Sequence, residues 1–157
     1  MKISKQNFRR IKDKAESFYK NLDFVYCPYL EENVYFNAKG LEHLKFKRKN
    51  YARVIDDQFI RLKLLNLAPK VIKLSRTVQG LSIGKNFEII RSNNRNDKKL
   101  VDVKYFEFVA VVDGMRVRII VKQIENSPKY FWSIIPFWKM NKENGNRKIH
   151  NGNPEED

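Results

Sequence analysis

Two stretches of the sequence hold side chains able to act on a phosphodiester. Breaking such a bond without a metal takes a base for the 2′-hydroxyl, an acid for the leaving oxygen, and cations for the charge that gathers on the phosphoryl oxygens. Tyr105, Glu107, Arg116, Arg118, Lys122 and Ser133 offer these types along 105–133. His43 adds an imidazole, and Lys39 and Lys47, one turn away on either side, disfavour its protonation, which predicts a neutral base near pH 7. In this arrangement His43 or Glu107 is the base, Arg118 and Lys122 stabilise the phosphorane, and Tyr105 or Ser133 assists proton transfer. A plainer reading makes Glu107 the cross-strand ion-pair partner of Arg118 and Lys122, and leaves His43 an uncommitted surface group.

Other chemistries find less support. Cys27 is the single cysteine, so no internal disulfide forms, and no second Cys or paired His lies at metal-ligand spacing. We read Cys27 as a packed small hydrophobe and expect neither a metal nor a cofactor. There is no Gly-rich phosphate loop and no nucleophile elbow. Asp56-Asp57 is a paired carboxylate, but Arg53 and Arg61 on the same helix can neutralise it. Trp132 and Trp138 suit core and edge packing, or base stacking.

Charge points to the partner. The 157-residue chain carries a formal net charge of +14, and residues 39–76 hold more than half of that excess. Such self-repulsion suits a dense polyanion, with RNA foremost. Lys39, Lys45, Lys47, Arg48, Lys49, Arg53 and, from the sheet, Arg116 are the expected phosphate contacts. An acidic protein, such as an antitoxin or inhibitor, would suit the same surface. No apolar run is long enough to span a bilayer and no secretory leader opens the chain, so a cytoplasmic protein with no membrane partner is expected.

The elements that must position these groups follow from periodicity. Ser4 caps a helix with Phe8, Ile11, Ala15, Phe18, Tyr19 and Leu22 on one face; Val34-Tyr35-Phe36 is a brief strand. Asn37 caps a second helix that turns Ala38, Leu41 and Leu44 inward and Lys39, His43 and Lys47 outward. Asn50 caps a long third helix through Leu65, whose polar face offers Arg53, Asp57 and Arg61. Val71–Leu74 and Phe87–Ile90 read as strands, with a polar loop or mobile hairpin tip over 92–99.

Asp113-Gly114 between alternating runs predicts a two-residue hairpin. Its register sets Phe106, Phe108, Ala110, Val117, Ile119 and Val121 on an apolar side, and Tyr105 across from Lys122 on the other. Tyr130–Pro136 pairs with the second hairpin strand. A four-residue loop puts Ser133 opposite Lys122, whereas a three- or five-residue loop exchanges it for Trp132. The expected fold is α+β: N-terminal helices, then an antiparallel meander of four to five strands, helices packed on one face. Residues 1–139 form one domain, and 140–157, with His150, a disordered polar tail.

The run Val34-Tyr35-Phe36-Asn37-Ala38-Lys39-Gly40-Leu41-Glu42-His43-Leu44, the helix after it, and Val117–Lys122 followed by Tyr130–Pro136 resemble phage and mobile-element proteins of the barnase, EndoU, colicin and RelE-like (BECR-fold) ribonuclease superfamily. The likeness covers roughly residues 33–139. It implies helices before a four-stranded antiparallel sheet and a toxin-type endoribonuclease that cleaves RNA without metal. Carried over by position, it implicates His43, Arg118, Lys122 and Ser133. A non-catalytic RNA-binding module on the same fold is the alternative.

Overall fold

Helix α1 (Lys5–Lys20) starts where the Ser4 hydroxyl accepts from the Asn7 N–H, 3.2 Å away, and it buries Ala15 and Tyr19. The computed structural model describes residues 2–137 and 153–157. Strands β1 (Phe24–Cys27) and β2 (Glu32–Tyr35) form a hairpin, after which Asn37 caps α2 (Ala38–Lys45) by accepting from the Gly40 N–H. Gly40 is there because α2 lies directly on the sheet: a Cβ at this position would fall 2.2 Å from the Phe131 carbonyl oxygen.

The expected long third helix is shortened at its start, where a small hairpin forms instead, β3 (Phe46–Arg48) and β4 (Tyr51–Ala52). Asn50 turns that hairpin at φ 61° instead of capping a helix, a left-handed conformation Asn tolerates. Helix α3 (Ile55–Leu64) follows. Residues 71–74, expected as a strand, belong to helix α4 (Leu67–Leu74). Pro69 does not block α4, because in the first turn its missing N–H has no intrahelical acceptor anyway. Leu67, Ala68, Val71 and Ile72 then share one buried face.

Four long strands complete the fold: β5 (Gly80–Ser92), β6 (Arg95–Val112), β7 (Met115–Ile124) and β8 (Tyr130–Pro136). The predicted hairpin at Asp113-Gly114 is present, with φ 51° and 74°, and the register runs from Val112↔Met115 to Tyr105↔Lys122 as expected. The polar segment 92–99 is the tip of the β5–β6 hairpin, with most of it in strand. Asn93 and Asn94 make a tight turn at φ 50° and 62°, so pairing continues to Ser92↔Arg95.

The class is α+β, and the sheet has six strands in the order β1-β2-β8-β7-β6-β5, one or two more than expected because the β1–β2 hairpin joins its edge. All pairs are antiparallel except β2 with β8, which meet in parallel at Tyr35↔Tyr130. One face carries Phe106, Phe108, Val117, Ile119, Val121, Phe131 and Ile134 into the helices. The opposite face buries Val101, Val103, Tyr105, Ile120, Tyr130, Trp132 and Ile135. Of the expected disordered tail, residues 140–152, including His150, lie outside the described residues, as does Trp138. Residues 153–157 form a turn packed against Lys122, Trp132 and Ser133.

Candidate functional site

The pairing of β8 decides which side chains meet. Ile119↔Ile134 and Ile120↔Ser133 are in one register, and Val121↔Phe131 and Lys122↔Tyr130 in another, so Trp132 is the extra residue of a β-bulge. The connecting loop has five residues, and Tyr130 rather than Ser133 stands opposite Lys122. With the bulge, Trp132 lies over Lys122, while Ser133 accepts from Arg61 and donates to the Asp157 main-chain oxygen. Beyond Tyr130 strand β8 has no β2 partner, and α2 and α3 pack against it instead.

Lys122 is 1% exposed. Its Nζ sits 4.1 Å from the Trp132 ring centre, 2.6 Å from Glu88 Oε1, and 2.8 and 3.1 Å from the Glu155 carboxylate oxygens. Glu88 pairs with Lys99, six residues along β6 from Tyr105, about 20 Å in a flat sheet. The β5–β6 hairpin therefore bends over this face to deliver its carboxylate. The Tyr105 hydroxyl donates to Glu155 as well, and burial, then the Glu155 charge, pushes the Tyr105 pKa up, so the phenol stays protonated at neutral pH.

His43, whose spacing predicts an outward-facing side chain, is instead 4% exposed and stacked on Trp132, with centroids 4.0 Å apart. Gly40 sets α2 so close to β8 that the helix edge carrying His43 meets the bulge. Its pKa falls to about 2, first through burial and then through Arg53, Arg61 and Lys122; Lys39 and Lys47 are not among the causes. The imidazole is neutral, as expected, for a different reason. Its Nε2 lies 3.0 Å from an Arg53 guanidinium nitrogen. A guanidinium can only donate, so Nε2 accepts and Nδ1 carries the hydrogen.

Arg53 and Arg61 are 3% and 2% exposed and share Asp57, at 3.3 and 2.8 Å. Burial, then Arg61, lowers the Arg53 pKa to about 10, which leaves it charged at neutral pH. Arg53 donates to the main-chain oxygens of Glu156 and Asp157 at 2.9 and 3.1 Å. Arg61 donates to Ser133 Oγ at 2.7 Å and to the Asp157 main-chain oxygen at 2.6 Å, and the Ser133 hydroxyl donates to the same oxygen. The Trp132 indole N–H donates to the Pro154 carbonyl, 3.0 Å away.

The structure thus brings together His43, Tyr105, Lys122, Ser133 and Arg53. Glu107 and Arg118 form a bidentate pair, both bonds 2.8 Å, and the Arg118 charge also acts on the Asp157 carboxyl. Lys122, expected as a second partner of Glu107, takes Glu88 and Glu155 instead. Of the expected phosphate contacts, Lys45 pairs with Glu16, Lys39 lies over the Tyr130 ring, Arg48 over the Tyr51 ring, and Arg116 over the Phe137 ring. Lys47 and Lys49 belong to the β3–β4 hairpin, with Lys49 in its turn.

Arg61 and Glu88 complete the site, although sequence reasoning gives neither a place in it; Trp132 lies at Lys122, the position a five-residue loop offered it. The Arg53-Asp57-Arg61 spacing holds a signal for Arg61, since i, i+4 residues share a helix face. Glu88 has none, because its approach depends on the bend of a hairpin.

Among the described residues no cluster of three or more His, Cys, Asp or Glu side chains could hold a metal ion, and no helix is long and apolar enough to cross a membrane. Comparison with protein-family models, curated proteins and solved structures finds no match.

Proposed function

We propose that this site binds a phosphodiester of RNA and cleaves it without a metal, as a small endoribonuclease. The observation that carries the reading is the convergence of three buried cations, Arg53, Arg61 and Lys122, with the hydroxyls of Ser133 and Tyr105 on a set of oxygens. Buried cations with aligned donors are what a phosphorane requires, since its extra charge is felt most where water is excluded. Tyr105, held protonated, is the acid for the leaving oxygen. Glu88, beside Lys122, is the carboxylate that takes the 2′-hydroxyl proton. It suits that role better than His43, whose Nε2 already accepts from Arg53, or Glu107, which Arg118 grips with two bonds. Ser133 orients the anion.

The engagement of the His43 lone pair also favours a second reading, a non-catalytic RNA-binding module on the same surface. Incubating the purified protein with total RNA in excess chelator separates the two. Cleavage is expected. Tight binding with intact RNA would leave the binding module. The toxin setting and an acidic inhibitor belong to the same proposal, because an acidic partner would compete for the same cations.

A further inference from the structure

The oxygens gathered in the site come from the chain itself. Arg53 and Arg61 share one carboxylate, Asp57, and Lys122 has one, Glu88, so the buried cluster carries one positive charge more than these partners neutralise. A buried charge without a partner is costly. Residues 153–157 supply negative charge: Glu155 takes two contacts from Lys122 and one from Tyr105, and the buried Asp157 carboxyl faces the charges of Arg53 and Arg61. Main-chain oxygens of Glu156 and Asp157 fill the Arg53 and Arg61 forks, and Pro154 takes the Trp132 indole N–H. A phosphodiester in a nucleic acid carries the same single charge as Glu155 and presents oxygens to the same donors.

We infer that residues 153–157 are a built-in competitor that closes the phosphodiester site until RNA displaces it, with Glu155 in the place of the phosphate. This rests on the reading of the site as a phosphodiester site. Tethering makes the competition intramolecular, at an effective concentration on the order of millimolar, so a few hydrogen bonds keep the site closed. RNA overcomes the segment because it also engages basic groups outside the site, such as Lys47 and Lys49, that the segment does not hydrogen-bond. The chain is therefore self-restrained, and Glu155 is the carboxylate of the segment that Lys122 and Tyr105 hold.

The test uses the full chain, wild type and Glu155→Gln, with a single-stranded oligonucleotide made uncleavable by 2′-deoxy substitution. Glu155→Gln is expected to bind about tenfold more tightly, the size of losing one charge-assisted contact from the competitor. In the wild type, the oligonucleotide is expected to shift the Trp132 indole N–H and Glu155 amide resonances to those of a released segment, a readout that needs no variant to fold. Equal affinity of the two proteins, or saturation with oligonucleotide while the segment resonances stay in place, overturns the inference and leaves RNA binding standing. If the oligonucleotide does not bind either protein but inorganic pyrophosphate releases the segment, the competitor stands and the RNA reading fails.

Discussion

His43 and Arg53 touch side chain to side chain inside the protein, ring nitrogen to guanidinium at 3.0 Å, with Trp132 stacked on the ring. A neutral imidazole is thereby made part of the support for a buried cation, and protonating it would set two positive charges in contact.

The stability of the fold should register this. The folded-state pKa of His43 lies near 2 against about 6.5 for a free imidazole. The unfolded chain therefore takes up a proton at His43 as pH falls below about 6.5, and the folded chain does not. Stability from the neutral imidazole is complete above that value and lost on acidification, by at most about 1.4 kcal/mol per pH unit. Urea unfolding between pH 6.5 and 5 is expected to be steeper in pH for the wild type than for His43→Gln. Equal slopes would mean that His43 titrates normally.

Asp57 holds Arg53 and Arg61 together, so Asp57→Asn should strand two buried guanidinium groups. A loss of about 3 kcal/mol or more is expected, on the scale of breaking a buried ion pair from one side. Denaturant unfolding gives the value, and a change below about 1 kcal/mol, the range of exposed pairs, would show that solvent reaches both guanidinium groups.

Lys122 should matter more to turnover than to binding. A ground-state phosphodiester carries one negative charge and the phosphorane nearly two, so a fixed cation is felt more strongly in the transition state. Lys122→Met is expected to slow single-turnover cleavage by about 10²-fold or more. Affinity for an uncleavable 2′-deoxy analogue should change far less, since many basic groups share the phosphate contacts. Equal losses in both would reduce Lys122 to a phosphate contact.

Two tyrosines should respond oppositely to losing a hydroxyl. Tyr19 donates to the Asn37 carbonyl at 2.6 Å, whereas the buried Tyr130 hydroxyl has no hydrogen-bond partner among the described residues. Tyr19→Phe should cost about 1 kcal/mol, and Tyr130→Phe should be neutral or stabilising. Thermal unfolding of both variants checks the contrast.

Local chemistry makes part of this protein legible in its sequence alone. Ser4 and Asn37 cap helices because their side chains satisfy free N–H groups within three residues. Asp113-Gly114 sets the β6–β7 register because two adjacent positive-φ residues close a hairpin one way. That register alone predicts Tyr105 beside Lys122, the centre of the site. What the sequence does not reveal depends on contacts between distant segments. His43 is buried because Gly40 lets α2 settle onto β8; Trp132 covers Lys122 while Ser133 meets Arg61 because β8 bulges at the end of β2. Glu88 arrives through the bend of a long hairpin, and residues 153–157 reach the site from far along the chain. Periodicity encodes which way a side chain points from its own element. Which elements then close over it is settled by packing and by the partners a buried charge must find.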